Sequence, residues 1–420
     1  MRTALADFIR ETPAGREAQA ILRSCVHCGF CLPACPTYQL LGDELDSPRG
    51  RIYLIKQLLE GQAIGASTQR HLDRCLTCRA CETACPSGVE YGRLLDIGRT
   101  LSEERVRRTP VVRAKRYLLR TLLPYTPRVR ALLGVARLAR PLLPRALSAP
   151  LAARTSAPAR AAPPIRHRRR VLLLPGCVQP ALRPTIDFAA AQVLDAVGIS
   201  AVPAAGTTCC GALAHHLGAP REALRQLRRN VDALTTQLEA GAEAVVTTAS
   251  ACTAMLTEYG RLLRDEPAYA PRAARVSALA RDVAQLVAPE SAALAASVGR
   301  ATVVQPAAPQ PAPRVAFHAP CTLQHALKMS AAVEAVLRAA GFTLTAVSDR
   351  QRCCGSAGTY SILQPQLSAR LLHQKVAALE AGAPEVIATA NIGCLAHIAG
   401  GSSLPVYHWV ELLASRLARP

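Results

Sequence analysis

The chain has 420 residues, 50% of them hydrophobic and only 4% aromatic, and its formal net charge is +21. This length exceeds what one hydrophobic core usually serves, so two or three domains are expected. No apolar run reaches the roughly 18 residues that a membrane-spanning helix needs. The first ten residues lack the pattern of an export signal. The 16 cysteines are therefore expected in a reducing compartment, where thiolates bind metals rather than form disulfides.

The positive charge is concentrated between residues 105 and 170, which contain 18 Arg or Lys and no Asp or Glu. Proteins that bind single-stranded nucleic acid combine basic side chains with aromatic stacking platforms, whereas this segment offers only Tyr117 and Tyr125. Its arginines alternate with leucines instead. That pattern predicts basic amphipathic helices, which lie on an anionic membrane surface, in the groove of a partner, or simply in solvent. Nucleic acid is therefore not an expected partner, and a peripheral membrane contact is one of the alternatives.

The chain begins with a predicted helix over residues 1–24, and two identical cysteine runs follow. Each run reads C-x2-C-x2-C-x3-C-P, the spacing that ligates [4Fe–4S] clusters in bacterial ferredoxins. In two-cluster ferredoxins the fourth cysteine of each run serves the other cluster. We therefore assign one cluster to Cys25, Cys28, Cys31 and Cys85, and a second cluster to Cys35, Cys75, Cys78 and Cys81.

Neither a zinc site nor a disulfide framework explains these runs as well. Structural zinc takes four ligands, usually from two CxxC pairs, whereas each run places four cysteines within eleven residues. Disulfide frameworks are typical of small secreted chains. Arg49 and Arg51 lie between the runs, where they either offset the negative charge of a cluster or lie at the surface. The sequence slightly favours the surface.

After the second run, helices are expected over residues 94–147, and an Ala/Pro/Ser-rich linker over residues 148–164. A new domain begins near His167, where the apolar run Val171-Leu-Leu-Leu predicts a buried strand. The expected domains are a two-cluster ferredoxin-type domain (1–105), basic helices with the linker (106–165), and two cysteine-rich units (166–300 and 301–420).

The second half of the chain contains an internal repeat. In both copies an adjacent cysteine pair begins 32 positions after a first cysteine. A glycine follows the pair, and a last cysteine comes later. The repeated cysteines are Cys177, Cys209, Cys210 and Cys252 in the first copy, and Cys321, Cys353, Cys354 and Cys394 in the second. An Ala/Pro-rich stretch near residues 305–313 separates the copies. This spacing indicates a duplicated unit, which we call the Cys-Cys-Gly (CCG) unit.

Each copy is predicted to alternate strands with helices such as residues 221–240 and 364–381. Four candidate strands precede cysteines: Val171 to Leu174, Val245 to Thr248, Val315 to Phe317, and Val386 to Thr389. Because ligands bind at the carboxyl edge of a parallel sheet, the four cysteines of each copy should meet at one site. The expected fold class is α+β and α/β: an N-terminal helical, ferredoxin-like two-cluster domain followed by two duplicated α/β CCG units.

The sequence leaves open what the CCG cysteines hold. Adjacent cysteines do not easily serve one cubane, so the pairs suggest an unusual iron–sulfur cluster, a redox-active dithiol or another metal. Small buried apolar side chains are the simpler alternative. Four histidines lie near these cysteines in the sequence, and none of them is assigned a function: His215, His216, His318 and His325.

Two ferredoxin runs followed by two CCG units resemble the iron–sulfur subunits of flavin-dependent oxidases of 2-hydroxy acids and glycerol 3-phosphate. More specifically, the chain resembles the family of bacterial glycolate oxidase iron–sulfur subunits over nearly its whole length. The resemblance rests on Cys25-Val-His-Cys-Gly-Phe-Cys, Pro36-Thr-Tyr-Gln-Leu-Leu-Gly-Asp-Glu-Leu-Asp, His71-Leu-Asp-Arg-Cys-Leu-Thr-Cys-Arg, Cys321-Thr-Leu-Gln-His-Ala, Cys353-Cys-Gly-Ser-Ala-Gly-Thr-Tyr and Thr389-Ala-Asn-Ile-Gly-Cys.

This resemblance implies an electron-transfer subunit that carries two [4Fe–4S] clusters on its eight N-terminal cysteines. A flavoprotein partner, which holds the FAD, would oxidise glycolate to glyoxylate. This chain would have no catalytic residue for glycolate and would pass electrons to quinone or another membrane acceptor. The expected location is the cytoplasmic side of the inner membrane, attached peripherally.

Two other functions fit the same motifs. The chain resembles iron–sulfur subunits of glycerol 3-phosphate or lactate dehydrogenases in architecture, and a thiol–disulfide reductase would use Cys209-Cys210 or Cys353-Cys354. The CCG units also resemble those of heterodisulfide reductases, whose motif ends in CxxC. At that spacing Ala249 and Met255 flank Cys252, so four thiols per unit remain rather than five.

Overall fold

The computed structural model describes residues 1–138, 162–304 and 313–417, which form two compact units. The first unit comprises residues 1–120, 213–223 and 351–372, and the second comprises residues 121–212, 224–350 and 373–420 as far as they are described. The predicted linkers at residues 148–164 and 305–313 lie almost entirely outside the described residues, as do residues 139–147 of the predicted helices. The domain boundaries read from the sequence stay a prediction.

The first unit is helical. Its helices are Asp7–Arg10, Pro13–Ser24, Pro36–Leu41, Pro48–Leu59, Ala66–Asp73, Ala80–Thr83, Tyr91–Arg105, Tyr360–Leu363 and most of Pro110–Leu122, with a 3-10 turn at Glu44–Asp46. The single helix predicted over residues 1–24 is wrong, because Thr12 caps a new helix by accepting a hydrogen bond from the backbone N–H of Gly15. Pro13 occupies the first position of that helix, where no N–H is needed.

Helix Pro48–Leu59 contributes much of the hydrophobic core of the first unit. Ile55, Leu58 and Leu59 on this helix are completely buried, together with Leu94 and Leu95 on helix Tyr91–Arg105. The two helices cross closely at Gly98, where an added Cβ would lie 2.7 Å from a side-chain carbon of Ile55. This packing fixes both helices beside the cysteine runs.

The second unit contains two four-stranded parallel sheets. The strands are β1 (Arg169–Leu173), β2 (Ile199–Pro203), β3 (Ala244–Thr247), β4 (Ala280–Asp282), β5 (Arg314–His318), β6 (Thr343–Leu344), β7 (Val386–Thr389) and β8 (Val406–His408). Their order is β2-β1-β3-β4 in the first sheet and β6-β5-β7-β8 in the second. The two sheets have the same strand order and direction, as expected for a duplicated unit. The predicted fold class is confirmed.

The remaining helices precede, separate or follow these strands along the chain. They are Thr126–Leu138, Gln179–Leu182, Thr185–Ala196, Ala212–His216, Pro220–Glu239, Ser250–Leu256, Tyr259–Leu262, Ala270–Leu279, Val283–Val287, Ser291–Val304, Ser330–Ala339, Pro365–Glu380, Ile392–Ala399 and Trp409–Arg416, with a 3-10 turn at Ala288–Glu290 and a π turn at Thr322–Ala326. The central strands are buried on both faces, as in other parallel sheets. No helix of the described residues combines the length and apolarity needed to span a membrane.

Candidate iron–sulfur sites

The two N-terminal cysteine runs share one backbone conformation. His27 and Gly29 in the first run, and Thr77 and Arg79 in the second, all have φ between +55° and +88°. A left-handed conformation at a non-glycine residue is strained and clusters at functional sites. In each run, residues with positive φ alternate with residues in other conformations. The backbone therefore turns tightly, and the cysteines of the run converge.

A first candidate cluster site is a pocket in the first unit whose lining includes Cys25, Cys28, Cys31 and Cys85, together with Cys81. The first four are the thiols assigned to one cluster from the sequence, and that assignment stays a prediction. Burial raises the pKa of the Cys31 thiol to about 11, so a metal must displace a firmly held proton there. The backbone N–H of Val89 points at Cys85 Sγ over 3.5 Å.

A second cluster site is a neighbouring pocket lined by Cys35, Cys75, Cys78 and Cys81. Cys75 Sγ accepts a 3.4 Å hydrogen bond from the backbone N–H of Thr77 and a 3.7 Å contact from the buried hydroxyl of Tyr91. Four thiols with N–H and O–H donors to sulfur fit a [4Fe–4S] cluster, whose properties depend on such hydrogen bonds. Pro48, Cys81 and Tyr91 line both pockets, so the two sites adjoin.

A buried ion pair supports the second cluster site. The side chain of Arg51 is 1% exposed, and its Nη2 lies 3.1 Å from the completely buried carboxylate of Asp46. Arg51 Nε donates a 2.7 Å hydrogen bond to the carbonyl of His71, and Nη1 donates to Thr37 Oγ1 at 3.1 Å and approaches Cys35 Sγ at 3.9 Å. The surface position that the sequence favoured for Arg51 is therefore wrong.

Asp46 is held by more than one cation. Arg74 Nη1 lies 2.7 Å from its second carboxylate oxygen. His71 Nδ1 lies 3.1 Å from the first oxygen, but it is not oriented for a hydrogen bond. The first cluster site has a weaker counterpart, since Arg49 pairs with Glu44 at 2.8 Å while its side chain is 34% exposed. The two sites thus differ in their buried positive charge.

Four thiols also meet in the first CCG copy. Cys177 contacts Cys209, which contacts Cys210, and Cys210 contacts Cys252, each within hydrogen-bonding reach. Hydrogen bonds from Cys177 and Cys210 hold the pKa of Cys209 well below its usual value. Cys177 and Cys252 follow β1 and β3, the two strands of this copy that the sequence predicted, whereas Cys209 and Cys210 follow β2, which the sequence analysis missed.

Buried polar side chains hold the Cys209-Cys210 pair in place. Asn230 Nδ2 donates to the carbonyl of Cys209 at 3.0 Å, and the hydroxyl of Tyr259 donates to the carbonyl of Cys210 at 2.8 Å. Both Asn230 and Tyr259 are completely buried. Gly211 follows with φ +89°, a conformation that favours glycine over other residues.

The second CCG copy repeats the glycine turn. Gly355 has φ +91°, and an added Cβ would lie 2.7 Å from the carbonyl oxygen of Ser368, so only glycine fits there. Cys353 and Cys354 are buried in the first unit, and Cys353 Sγ accepts from the N–H of Gly355 at 3.4 Å. Cys321 and Cys394 follow β5 and β7 in the second unit. Convergence of these four thiols stays a prediction.

The four histidines left without a function differ in surroundings. His318 and His325 are buried, and burial holds the pKa of His318 well below its usual value. His215 and His216 both hydrogen-bond to Asp96, a residue that sequence reasoning missed. No local signal in the sequence connects Asp96 with histidines 119 residues away.

Comparison with family models agrees with this division of the chain. A model described as "4Fe-4S dicluster domain" matches residues 21–89, and a model described as "Cysteine-rich domain" matches residues 171–257 and 315–399. A helical domain with paired four-thiol pockets, followed by duplicated cysteine-rich α/β units, defines an iron–sulfur electron-transfer protein.

Comparison with known proteins identifies a family within the class of iron–sulfur electron-transfer proteins. The chain is 49% identical to "Glycolate oxidase iron-sulfur subunit" of Escherichia coli over the whole of both chains. It is 30% identical to "Probable glycolate oxidase iron-sulfur subunit" of Bacillus subtilis over 89% of this chain and 87% of that one. It is 27% identical to "Lactate utilization protein A" of Bacillus licheniformis over 59% of this chain and all of that one. The chain belongs to the family of glycolate oxidase iron–sulfur subunits, as the sequence motifs indicated.

The crossed ligand assignment predicts which single variants share a phenotype. Cys28→Ser and Cys85→Ser should lose the same EPR signal of the reduced protein, although these cysteines lie in different runs. Cys35→Ser and Cys78→Ser should lose the other signal. If each run served its own cluster, Cys85→Ser would instead match Cys78→Ser.

The Arg51 ion pair predicts a large difference between two similar arginines. Arg51→Lys keeps the charge but cannot reach Asp46, Thr37 and the His71 carbonyl together, so the free energy of unfolding should fall by about 3 kcal/mol. Arg49→Lys, the matched control at the exposed pair, should cost less than about 1 kcal/mol. Anaerobic denaturation followed by cluster absorbance measures both, and equal losses would contradict the assignment.

Proposed function

We propose that this chain is the electron-transfer subunit of a glycolate dehydrogenase complex. A flavoprotein subunit oxidises glycolate to glyoxylate and releases two electrons and two protons. This chain takes the electrons singly through its two cluster sites and passes them to a membrane acceptor such as quinone. The observation that carries this proposal is 49% identity over the full length of a glycolate oxidase iron–sulfur subunit.

The chain's own residues support this division of labour. Each cluster site offers four thiols, and the donors at sulfur come from backbone N–H groups and Tyr91. Clusters at such sites supply one-electron transfer, whereas the hydroxy acid chemistry belongs to the flavin of the partner. The ligands that we assign are the eight cysteines from Cys25 to Cys85, with no catalytic residue for glycolate in this chain.

Lactate is the alternative substrate of the complex. The chain is similar to "Lactate utilization protein A", but only over 59% of its length and at 27% identity. The glycolate relative matches the whole chain at nearly twice that identity. Glycolate is therefore the substrate we favour.

We also propose that the complex attaches peripherally to the cytoplasmic face of the inner membrane through helix Pro110–Leu122. Val111 is 77% exposed and Leu118, two turns along the same face, is 51% exposed. Val112 and Tyr117 are exposed beside them. A helix that presents apolar side chains beside basic ones is typical of an interfacial contact with an anionic bilayer.

The charge available to lipids is smaller than the sequence suggested. Arg116 is buried against Glu103 and Asp73, and Arg108 pairs with the same two carboxylates. Arg120 lies 3.1 Å from Glu222. These acidic partners come from outside the basic segment. The exposed apolar side chains therefore carry more of the membrane proposal than the arginine count.

Glycolate-dependent electron transfer tests the function. The purified complex with its flavoprotein subunit should reduce a quinone analogue with glycolate, and Cys28→Ala should lower that rate at least about a hundredfold because a cluster ligand is lost. Val26→Ala, a neighbouring exposed position outside the ligand set, is the control. Unchanged turnover in Cys28→Ala, or faster turnover with lactate or glycerol 3-phosphate, would count against glycolate dehydrogenase.

Liposome flotation tests the membrane contact. The complex should float with vesicles that contain anionic lipid, and Val111→Glu with Leu118→Glu should at least halve the floated fraction, because two carboxylates enter the apolar face. Ile165→Glu places the same charge at another exposed apolar position and serves as the control. Equal flotation of all three proteins would contradict the role of this helix.

A further inference from the structure

Asp96, His215 and His216 form a cluster in the first unit that the electron-transfer function does not use. Asp96 lies within helix Tyr91–Arg105, and the two histidines end the short helix Ala212–His216. His215 Nε2 lies 3.1 Å from Asp96 Oδ2, and His216 Nδ1 lies 3.0 Å from Asp96 Oδ1. The three side chains offer ligand atoms that all lie within 4.8 Å of one another.

The hydrogen bonds in this cluster occupy both carboxylate oxygens but do not by themselves neutralise the charge. The Asp96 side chain is 13% exposed. An imidazole neutralises a carboxylate only while the imidazole is protonated. A divalent cation does so when the imidazoles are neutral, the form in which they bind metals.

Arg99 lies nearby but is engaged by backbone groups. Its guanidinium donates to the carbonyls of Leu72 and Cys75 at 2.9 and 2.7 Å, and reaches the His216 carbonyl at 3.5 Å. This position orients the histidine segment. Within the described residues, the Asp96 carboxylate contacts the two imidazoles.

The geometry of the cluster fits a tetrahedral ion. Zinc binds histidine nitrogen and carboxylate oxygen at about 2.0–2.1 Å, so neighbouring ligand atoms lie roughly 3.3 Å apart. The observed separations of 3.0 and 3.1 Å run to the two different oxygens of Asp96, and one ligand atom from each of the three residues lies within 4.8 Å of the others, so a small rearrangement of side chains brings them to this spacing. Two histidines and one carboxylate leave a fourth position for water. The His216 side chain is 39% exposed, which gives an ion access from solvent.

A second group with similar donors shows why this cluster stands apart. Asp43, Asp46 and His71 also place three potential ligand atoms within 4.8 Å. There, however, Arg51 and Arg74 already neutralise the Asp46 carboxylate. Among the described residues, the ion pairs of Asp96 are instead those with His215 and His216.

We propose that Asp96, His215 and His216 bind one zinc ion, separate from the cysteine sites. The ion fastens residues 213–216, which follow the first Cys-Cys-Gly turn, to helix Tyr91–Arg105, which follows the second ferredoxin run. Its ligands are nitrogen and oxygen. That distinguishes it chemically from any metal held by the thiols of this chain.

The full-length protein, purified anaerobically with its clusters and treated with a chelator, is titrated with Zn²⁺ alone. We expect one tightly bound zinc per chain whose X-ray absorption shows nitrogen and oxygen at about 2.0–2.1 Å and no sulfur at about 2.3 Å. His216→Gln and Asp96→Asn should each weaken zinc binding at least tenfold. His167→Gln is the matched control, because His167 Nε2 also contacts a carboxylate, Asp195, at 2.8 Å.

Iron and sulfide content, together with circular dichroism, establishes whether each variant is folded. If Asp96→Asn does not fold, the zinc affinity of His216→Gln alone decides whether the proposal holds. Three results would overturn the proposal. They are no zinc bound at micromolar concentration, zinc bound with sulfur neighbours, and affinity in His216→Gln equal to that of His167→Gln.

Discussion

The ion pair between Arg51 and Asp46 is the interaction on which the first unit depends. A charge removed from water is costly unless a partner and hydrogen bonds replace the solvent. Here the guanidinium of Arg51, on helix Pro48–Leu59, joins that helix to the 3-10 turn Glu44–Asp46 and to the carbonyl of His71. His71 comes four residues before Cys75 in the chain. The same group lies 3.9 Å from Cys35 Sγ. The side chain of Arg51 therefore both stabilises the fold and places positive charge beside the second cluster site.

The CCG units solve a different problem, which is how to hold a pair of buried, adjacent cysteines in a fixed backbone conformation. The parallel sheets bring the cysteines to strand ends, and Gly211 and Gly355 allow the tight turns after each pair. In the first copy Asn230 and Tyr259 bind the carbonyls of the pair, so its backbone is satisfied without solvent. The thiols of this copy contact one another in series, and these contacts hold the pKa of Cys209 well below its usual value.

Sequence spacing predicted the parts of the molecule that depend on local chemistry. The cysteine runs, the repeat, the strand at Val386 to Thr389 and the family all followed from residues close together in the chain. Arg51 was misplaced because a charged residue in an amphipathic helix resembles a surface residue until its distant partner is known. The charge of the basic segment was overestimated for the same reason. Asp73, Glu103 and Glu222, which lie outside that segment in the sequence, pair with its arginines. The break at Thr12-Pro13 was readable as a capping signal and was missed.

The wall shared by the two cluster pockets has a consequence for how electrons are taken up. Pro48, Cys81 and Tyr91 border both sites, so protein side chains lie between them. If both sites held a cluster, an extra electron on one would raise the energy of a second electron on its neighbour, because like charges repel strongly where the dielectric constant is low. A two-electron donor would then deliver its electrons one after the other.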